Sequence, residues 1–201
     1  MPSLLLPPVR LGRWVENFGA RHGGTVLRVV EGALGGEAVD GSTFTVRLPF
    51  AAAYDGPAEV TALVAAVEPP RAWGVLLVRK GGFAVARIES GAVVEHKIGQ
   101  RHVQGRTKAG GQSQQRFARR RDNQARQAYE AAADHAARIL AGVPVGVVGG
   151  DRPAVEEVLA DRRLAGLDVV EPWLPVPDPK RAVLDQAVLD AASLAIEVVN
   201  A

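Results

Sequence analysis

Between Trp73 and Ile98 the chain holds three apolar runs of strand length, and the turns between them leave little choice of topology. The runs are Trp73 to Val78, Phe83 to Glu89 and Ala92 to Ile98. Gly81-Gly82 and Ser90-Gly91 lie where tight hairpin turns belong. Connections this short join only antiparallel neighbours. A polar, glycine-containing stretch follows, Gly99 to Ser113, and then a long helix is predicted over about Gln114 to Leu140. Its apolar positions Ala125, Ala128, Tyr129, Ala132, Ala136, Ile139 and Leu140 keep a helical period. Its first two turns are almost wholly polar and basic, so that half is expected to project beyond the core. Val143 to Val148 reads as a buried strand. Asp151 is placed to cap a helix running to Ala160. Leu167 to Val170 reads as a short strand, and Asp178 to Val199 as a closing helix. Three antiparallel strands followed by αβαβα predict an α/β fold, a mixed sheet with packed helices.

Upstream, a smaller α+β part is expected over residues 1–70, with the mixed-sheet domain over 71–201. Leu11 to His22 reads as a helix with Trp14, Val15 and Phe18 on one face, ended by Gly23-Gly24. Thr25 to Val30 and Thr43 to Leu48 read as strands joined by a glycine-rich turn around Gly35-Gly36. Ala58 to Val67 reads as a helix, and Pro69-Pro70 closes the segment. His22 sits beside the helix-ending glycines, which suits a cap or a surface residue. No internal repeat is present.

With 201 residues, 47% of them hydrophobic, the chain can bury a real core. It has no cysteine, which excludes disulfides, zinc–thiolate sites and thiol nucleophiles. No apolar run approaches the ~20 residues of a membrane span, and the start MPSLLLPPVR lacks the basic n-region of a signal peptide. A cytoplasmic location is expected. The net charge is only +2, but it is unevenly spread. Between His96 and Arg126 stand Lys97, Arg101, Arg106, Lys108, Arg116, Arg119, Arg120, Arg121 and Arg126 against the single acid Asp122, so the stretch carries +8 and the remainder −6. A basic arm on an acidic body suits a polyanion partner, although a solvated helix face has the same composition.

The arm contains Gly110-Gly111-Gln112, inside the segment KAGGQSQQRFARRR from Lys108 to Arg121. The tripeptide alone is a weak signal. The whole segment resembles that of eukaryotic and archaeal class I peptide-release factors, in which GGQS is followed at the same spacing by an arginine, a phenylalanine and further arginines, here Arg116, Phe117 and Arg119. The order of elements is similar too: in that family the motif follows an antiparallel hairpin and opens a long helix within an RNase H-like domain. Trp73 to about Asn200 can be read that way. No stretch reads as a decoding domain for stop codons. The chain is therefore identified as a Vms-like release factor of ribosome quality control, in an actinobacterial peptidyl-tRNA hydrolase branch.

That resemblance implies stop-codon-independent hydrolysis of the peptidyl-tRNA ester on stalled ribosomal large subunits, with peptidyl-tRNA and rRNA as partners, no cofactor and no metal. It implies that Gln112 orders the attacking water. The residue types suit the task. Two glycines let the backbone approach RNA without a Cβ clash. A glutamine amide cannot act as a base at neutral pH but can hydrogen-bond water, and its N–H can face a developing oxyanion. Arg106, Lys108, Arg116, Arg119 and Arg120 are the candidates for phosphate contacts, with main-chain N–H groups near Ser113 as a further anion site. Phe117 suits packing at the helix base more than base stacking. The free protein is expected to be monomeric.

Other sites carry less. His96 falls in an alternating strand and His102 among basic residues, neither with a carboxylate at ligand spacing. Gly149-Gly150 lies between a strand and a helix but lacks a G-x-G-x-x-G pattern, and Asp151 would repel phosphate, so a tight turn is expected. Trp73 and Trp173 look like core or rim residues. Two competing functions remain open at this level. One is a tRNA 3′-end nuclease, which would want clustered carboxylates; the other is a ribosome-binding factor without catalysis.

Overall fold

The computed structural model describes the backbone of residues 4–100 and 112–201, and the side chains of 4–99 and 126–201. The chain divides into two compact units, Met1–Pro70 with Val188–Ala201, and Arg71–Ala187.

In the first unit a five-stranded antiparallel sheet is built from β1 (Leu4–Leu6), β2 (Thr25–Val30), β3 (Ala33–Ala38), β4 (Thr43–Arg47) and β10 (Leu194–Val199), in the order β1-β10-β4-β3-β2. Helix α1 (Leu11–His22) and the short α2 (Val60–Ala65) bury Leu11, Phe18 and Leu63 against Leu34, Phe44, Val46, Leu194 and Ile196. Two sequence expectations fail here. Gly35-Gly36 is not a turn but the middle of β3, and the hairpin instead reverses at Glu31 and Gly32, both at positive φ. The glycine is needed for packing: a Cβ on Gly36 would stand 2.2 Å from the Phe44 ring. A strand glycine often marks such a close approach rather than a break. The closing helix is also shorter than expected. Helix α5 (Arg181–Ala191) ends where the Ser193 hydroxyl bonds back to the Leu189 carbonyl at 2.9 Å, and residues 194–199 then pair with β4 and β1. Their sequence, Leu-Ala-Ile-Glu-Val-Val, is rich in β-branched residues and buries Leu194 and Ile196 alternately.

The second unit is a mixed sheet in the order β7-β6-β5-β8-β9. Strands β5 (Ala72–Arg79), β6 (Gly82–Glu89) and β7 (Ala92–Gln100) form the expected antiparallel meander, and β8 (Val145–Gly150) and β9 (Asp168–Leu174) add in parallel to β5. β5 is central and buried along nearly its whole length. Helices α3 (Gln112–Ile139) and α4 (Arg152–Leu159) share one core with Leu76, Val78, Phe83, Val85 and Val148. Asp151 stands at the expected cap position of α4, and its carbonyl accepts the first helical bond from Val155 at 3.0 Å. Its carboxylate does not cap the helix; it receives the Lys80 N–H at 3.3 Å and faces Arg79. Among the described residues, no helix is long and apolar enough to cross a membrane.

Candidate nucleic-acid interface

In sequence the basic stretch joins β7 to α3, and side-chain contacts tie these two elements to the second unit. β7 is an edge strand. Near its end Gly99 pairs with Phe83 of β6. The Phe83 ring lies over Gly99, where a Cβ would stand 2.2 Å from it, and stacks on the His135 ring of α3 with centroids 5.7 Å apart. One aromatic side chain thus touches the strand that leads into the arm and the helix that leads out. Two polar ties reinforce this. Arg138 of α3 bonds Glu95 of β7. Arg87 of β6 donates to the Ala141 carbonyl just past α3 and to Glu89, each at 2.7 Å. Sequence patterns missed these ties because they join residues distant along the chain; Gly99, a glycine in an otherwise regular strand, was the one available signal.

Helix α3 is anchored through its C-terminal half. Tyr129, Ala132, Ala133, Ala136 and Ile139 are buried, spaced three and four apart as a core-facing stripe requires, whereas Arg126 and Gln127 are exposed. At 1.5 Å per residue, about 25 Å of helix separates Gln112 from Tyr129. The same helical repeat sets positions 112, 116, 119 and 120 along one side, away from the stripe of buried positions. The first main-chain N–H groups of a helix have no partner within it and favour an anion, and α3 begins at Gln112.

Of the candidate residues, Gln112, Ser113, Arg116, Arg119 and Arg120 fall in the opening turns of α3, with Phe117 among them; their side chains lie outside the described residues. Arg106, Lys108, Gly110, Gly111 and His102 lie wholly outside them. His96 turns its Nε2 to the Arg181 guanidinium at 3.2 Å. His22 is joined to Asp40, Nδ1 to Oδ2 at 2.7 Å, tying the end of α1 to the β3–β4 turn; this contact and the Ser42 amide hold the Asp40 carboxyl below its usual range.

Two carboxylates near the sheet are engaged by an arginine. Arg79 lies between them, 3.4 Å from Asp151 and 3.8 Å from Asp178, and donates to the Val176 carbonyl at 2.7 Å. Among the described residues no group of three or more His, Asp or Glu could hold a metal. Gly149 and Gly150 are accounted for by packing, since Cβ atoms there would stand 2.2 Å from the Leu174 carbonyl oxygen and 2.1 Å from that of Val78. Trp73 is buried, and half-buried Trp173 lies under the Arg152 guanidinium, 4.2 Å from its centroid.

Among solved structures, the chain is similar to one described as the Vms1 mitochondrial localization core, at 11% identity and a TM-score of 0.44, covering 96% of this chain and 82% of that one. It is also similar to Pelota of Archaeoglobus fulgidus, at 11% identity and a TM-score of 0.28, covering 94% of this chain and 62% of that one. No curated protein matches. The family model described as the Actinobacteria/chloroflexi VLRF1 release factor matches residues 71–197, most of the chain, and on that match the protein belongs to this release-factor family.

Proposed function

We propose that the protein hydrolyses the ester of peptidyl-tRNA on stalled ribosomal large subunits without reading a stop codon. The observation that carries the reading is the position of Gly110-Gly111-Gln112: the motif ends where α3 begins, about 25 Å of helix before Tyr129, which is buried in the core. A motif at the start of so long a helix suits delivery of a small group into an RNA-walled cavity. Membership of a release-factor family supports the same reading. So does the sheet order, three antiparallel strands followed by two parallel additions on the first, which suits an RNase H-like catalytic domain.

In this mechanism Gly110 and Gly111 let the backbone lie against the CCA end, and Gln112 orders the attacking water through its amide while its N–H faces the oxyanion. The tRNA ribose and rRNA supply the remaining polar groups. Arg106, Lys108, Arg116, Arg119 and Arg120 hold phosphates and fix the register of the loop without reading sequence, and the helix N-terminus near Ser113 adds a further anion contact. No activated side-chain nucleophile is needed. A nuclease at the tRNA 3′ end has less behind it, because Asp151 and Asp178 are bridged by Arg79 rather than open to a cation.

The test is release of labelled peptide from purified large-subunit complexes carrying peptidyl-tRNA. Wild type should release peptide and leave the tRNA with an intact CCA end, and Gln112→Ala should bind without releasing. Equal release by the variant defeats the glutamine mechanism, and a shortened tRNA product selects the nuclease.

A further inference from the structure

The buried stripe of α3 is made largely of alanine: Ala132, Ala133 and Ala136 stand between Tyr129 and Ile139. Short side chains let a helix lie close to a sheet, but each makes few atomic contacts, so they resist rocking of the helix weakly. Its angle depends on the bulkier groups beside them. One of these joins α3 to β7. Phe83 of β6, buried in the core, stacks on the half-buried His135 ring with centroids 5.7 Å and planes 27° apart, and it also lies over Gly99. Of the ties between α3 and the β6–β7 hairpin described above, this one stands nearest Gln112 along the helix, since Arg138 and the Ala141 carbonyl lie further on.

Gly99 is what allows the ring to lie there. Its φ falls outside the left-handed region, so its backbone suits any residue; what it lacks is the Cβ that would meet the Phe83 ring at 2.2 Å. The stack also has reach. At 1.5 Å per residue, Gln112 lies about 35 Å from His135 toward the start of α3. Over that length a tilt of about 5° moves the start of the helix by about 3 Å. Where a group holds water in line for attack, a misplacement of about 1 Å can cost about a hundredfold in rate. Phosphate contacts are less exacting, because charges interact over about 10 Å at moderate salt.

We propose that Phe83, Gly99 and His135 are positioning residues: their stack sets the angle of α3 on the β6–β7 hairpin, and so the place of Gln112 at the peptidyl-tRNA ester. This rests on the hydrolase reading above and adds to it a determinant of kcat remote from the reacting bond.

The test combines a distance measurement with kinetics. The chain has no cysteine, so a pair can be introduced for spin labels. Gln115→Cys on α3 and Val169→Cys, exposed on β9, report the helix angle by double electron–electron resonance. His135→Ala, which favours the helix and so does not weaken α3 itself, should broaden or shift the distance distribution. Gly99→Ala should do the same by displacing the Phe83 ring, and His135→Phe, which keeps a ring on Phe83, should restore the wild-type distribution. In peptide release by the unlabelled proteins, His135→Ala and Gly99→Ala should lower kcat about tenfold while KM stays within about twofold, and His135→Phe should recover kcat. The proposal is overturned by an unchanged distribution in His135→Ala, by a shifted distribution with wild-type kcat, or by a fall in kcat that His135→Phe does not recover. The distance measurement needs no release activity, so its failure is separate from that of the hydrolase reading, which falls if Gln112→Ala releases peptide as wild type does.

Discussion

From Tyr129 to Ile139, helix α3 is rich in alanine, and Tyr129, Ala132, Ala133, Ala136 and Ile139 enter the core. From Gln112 to Arg126 the same helix has five arginines, one aspartate and no repeating apolar stripe. The contrast shows that a helix need not be amphipathic along its whole length. Its packed half, fixed by Phe83, Glu95 and the sheet, meets the cost of nucleation, and the other half then propagates on alanine, glutamine and arginine, all good helix formers. Division of labour follows: one half sets position by burial, and the other carries most of the helix's positive charge.

Several changes would break or sharpen that contrast. Gln112→Ala has the largest expected effect, a loss of about 10²- to 10³-fold in peptide release, the usual consequence of removing one transition-state donor. Thermal melting of this variant should match wild type, since position 112 lies far from the anchored half. Ala132→Leu tests the other half. Ala132 is fully buried, so the added atoms should overpack the core and cost about 1–3 kcal/mol in a denaturant titration. A stability change confined to a few tenths of a kcal/mol would show that the anchored half is looser than its burial implies. Replacing Arg119 and Arg120 together by alanine should weaken large-subunit binding by about tenfold and flatten its salt dependence, with little effect on stability. An unchanged salt slope would remove these two residues from the phosphate contacts.

The smallest effect belongs to pH. Asp161 has its folded-state pKa depressed to about 2 by Arg163, below its usual 3.8. The contact between α3 and the segment after α4 therefore contributes stability above about pH 4, and that contribution is lost as the pH falls through about 2. An NMR titration of the Asp161 carboxyl carbon should find the depressed midpoint in wild type and a value near 3.8 in Arg163→Gln. Matching midpoints in the two proteins would mean the Arg163 bridge is absent in solution.

Much of the second unit was legible in the sequence because its signals are local. Hairpin turns at Ser90-Gly91, the period of Tyr129 to Leu140, and the strand at Val145–Gly150 each depend on neighbours within a few residues. The GGQ motif was legible for a similar reason, as a short contiguous pattern. What escaped was long-range. Gly35-Gly36 looked like a turn because the ring that needs the missing Cβ, Phe44, belongs to the neighbouring strand. Residues 194–199 looked like the end of a helix because their partners, β4 and β1, lie near the other end of the chain. The Asp134–Arg163–Asp161 bridge had no sequence signature either, since charged surface residues are ordinarily solvated.

By itself the sequence determined the order of most elements, the uneven placement of charge and the motif on which the proposed chemistry rests. Each of these is written in periodicity, composition or a contiguous motif. Tertiary structure alone decided which strand closes the first sheet, how Phe83 joins β7 to α3, and which carboxylates share Arg163. Those outcomes depend on contacts between residues far apart in the chain, and a linear pattern records which side chains are available, not which of them folding brings within reach.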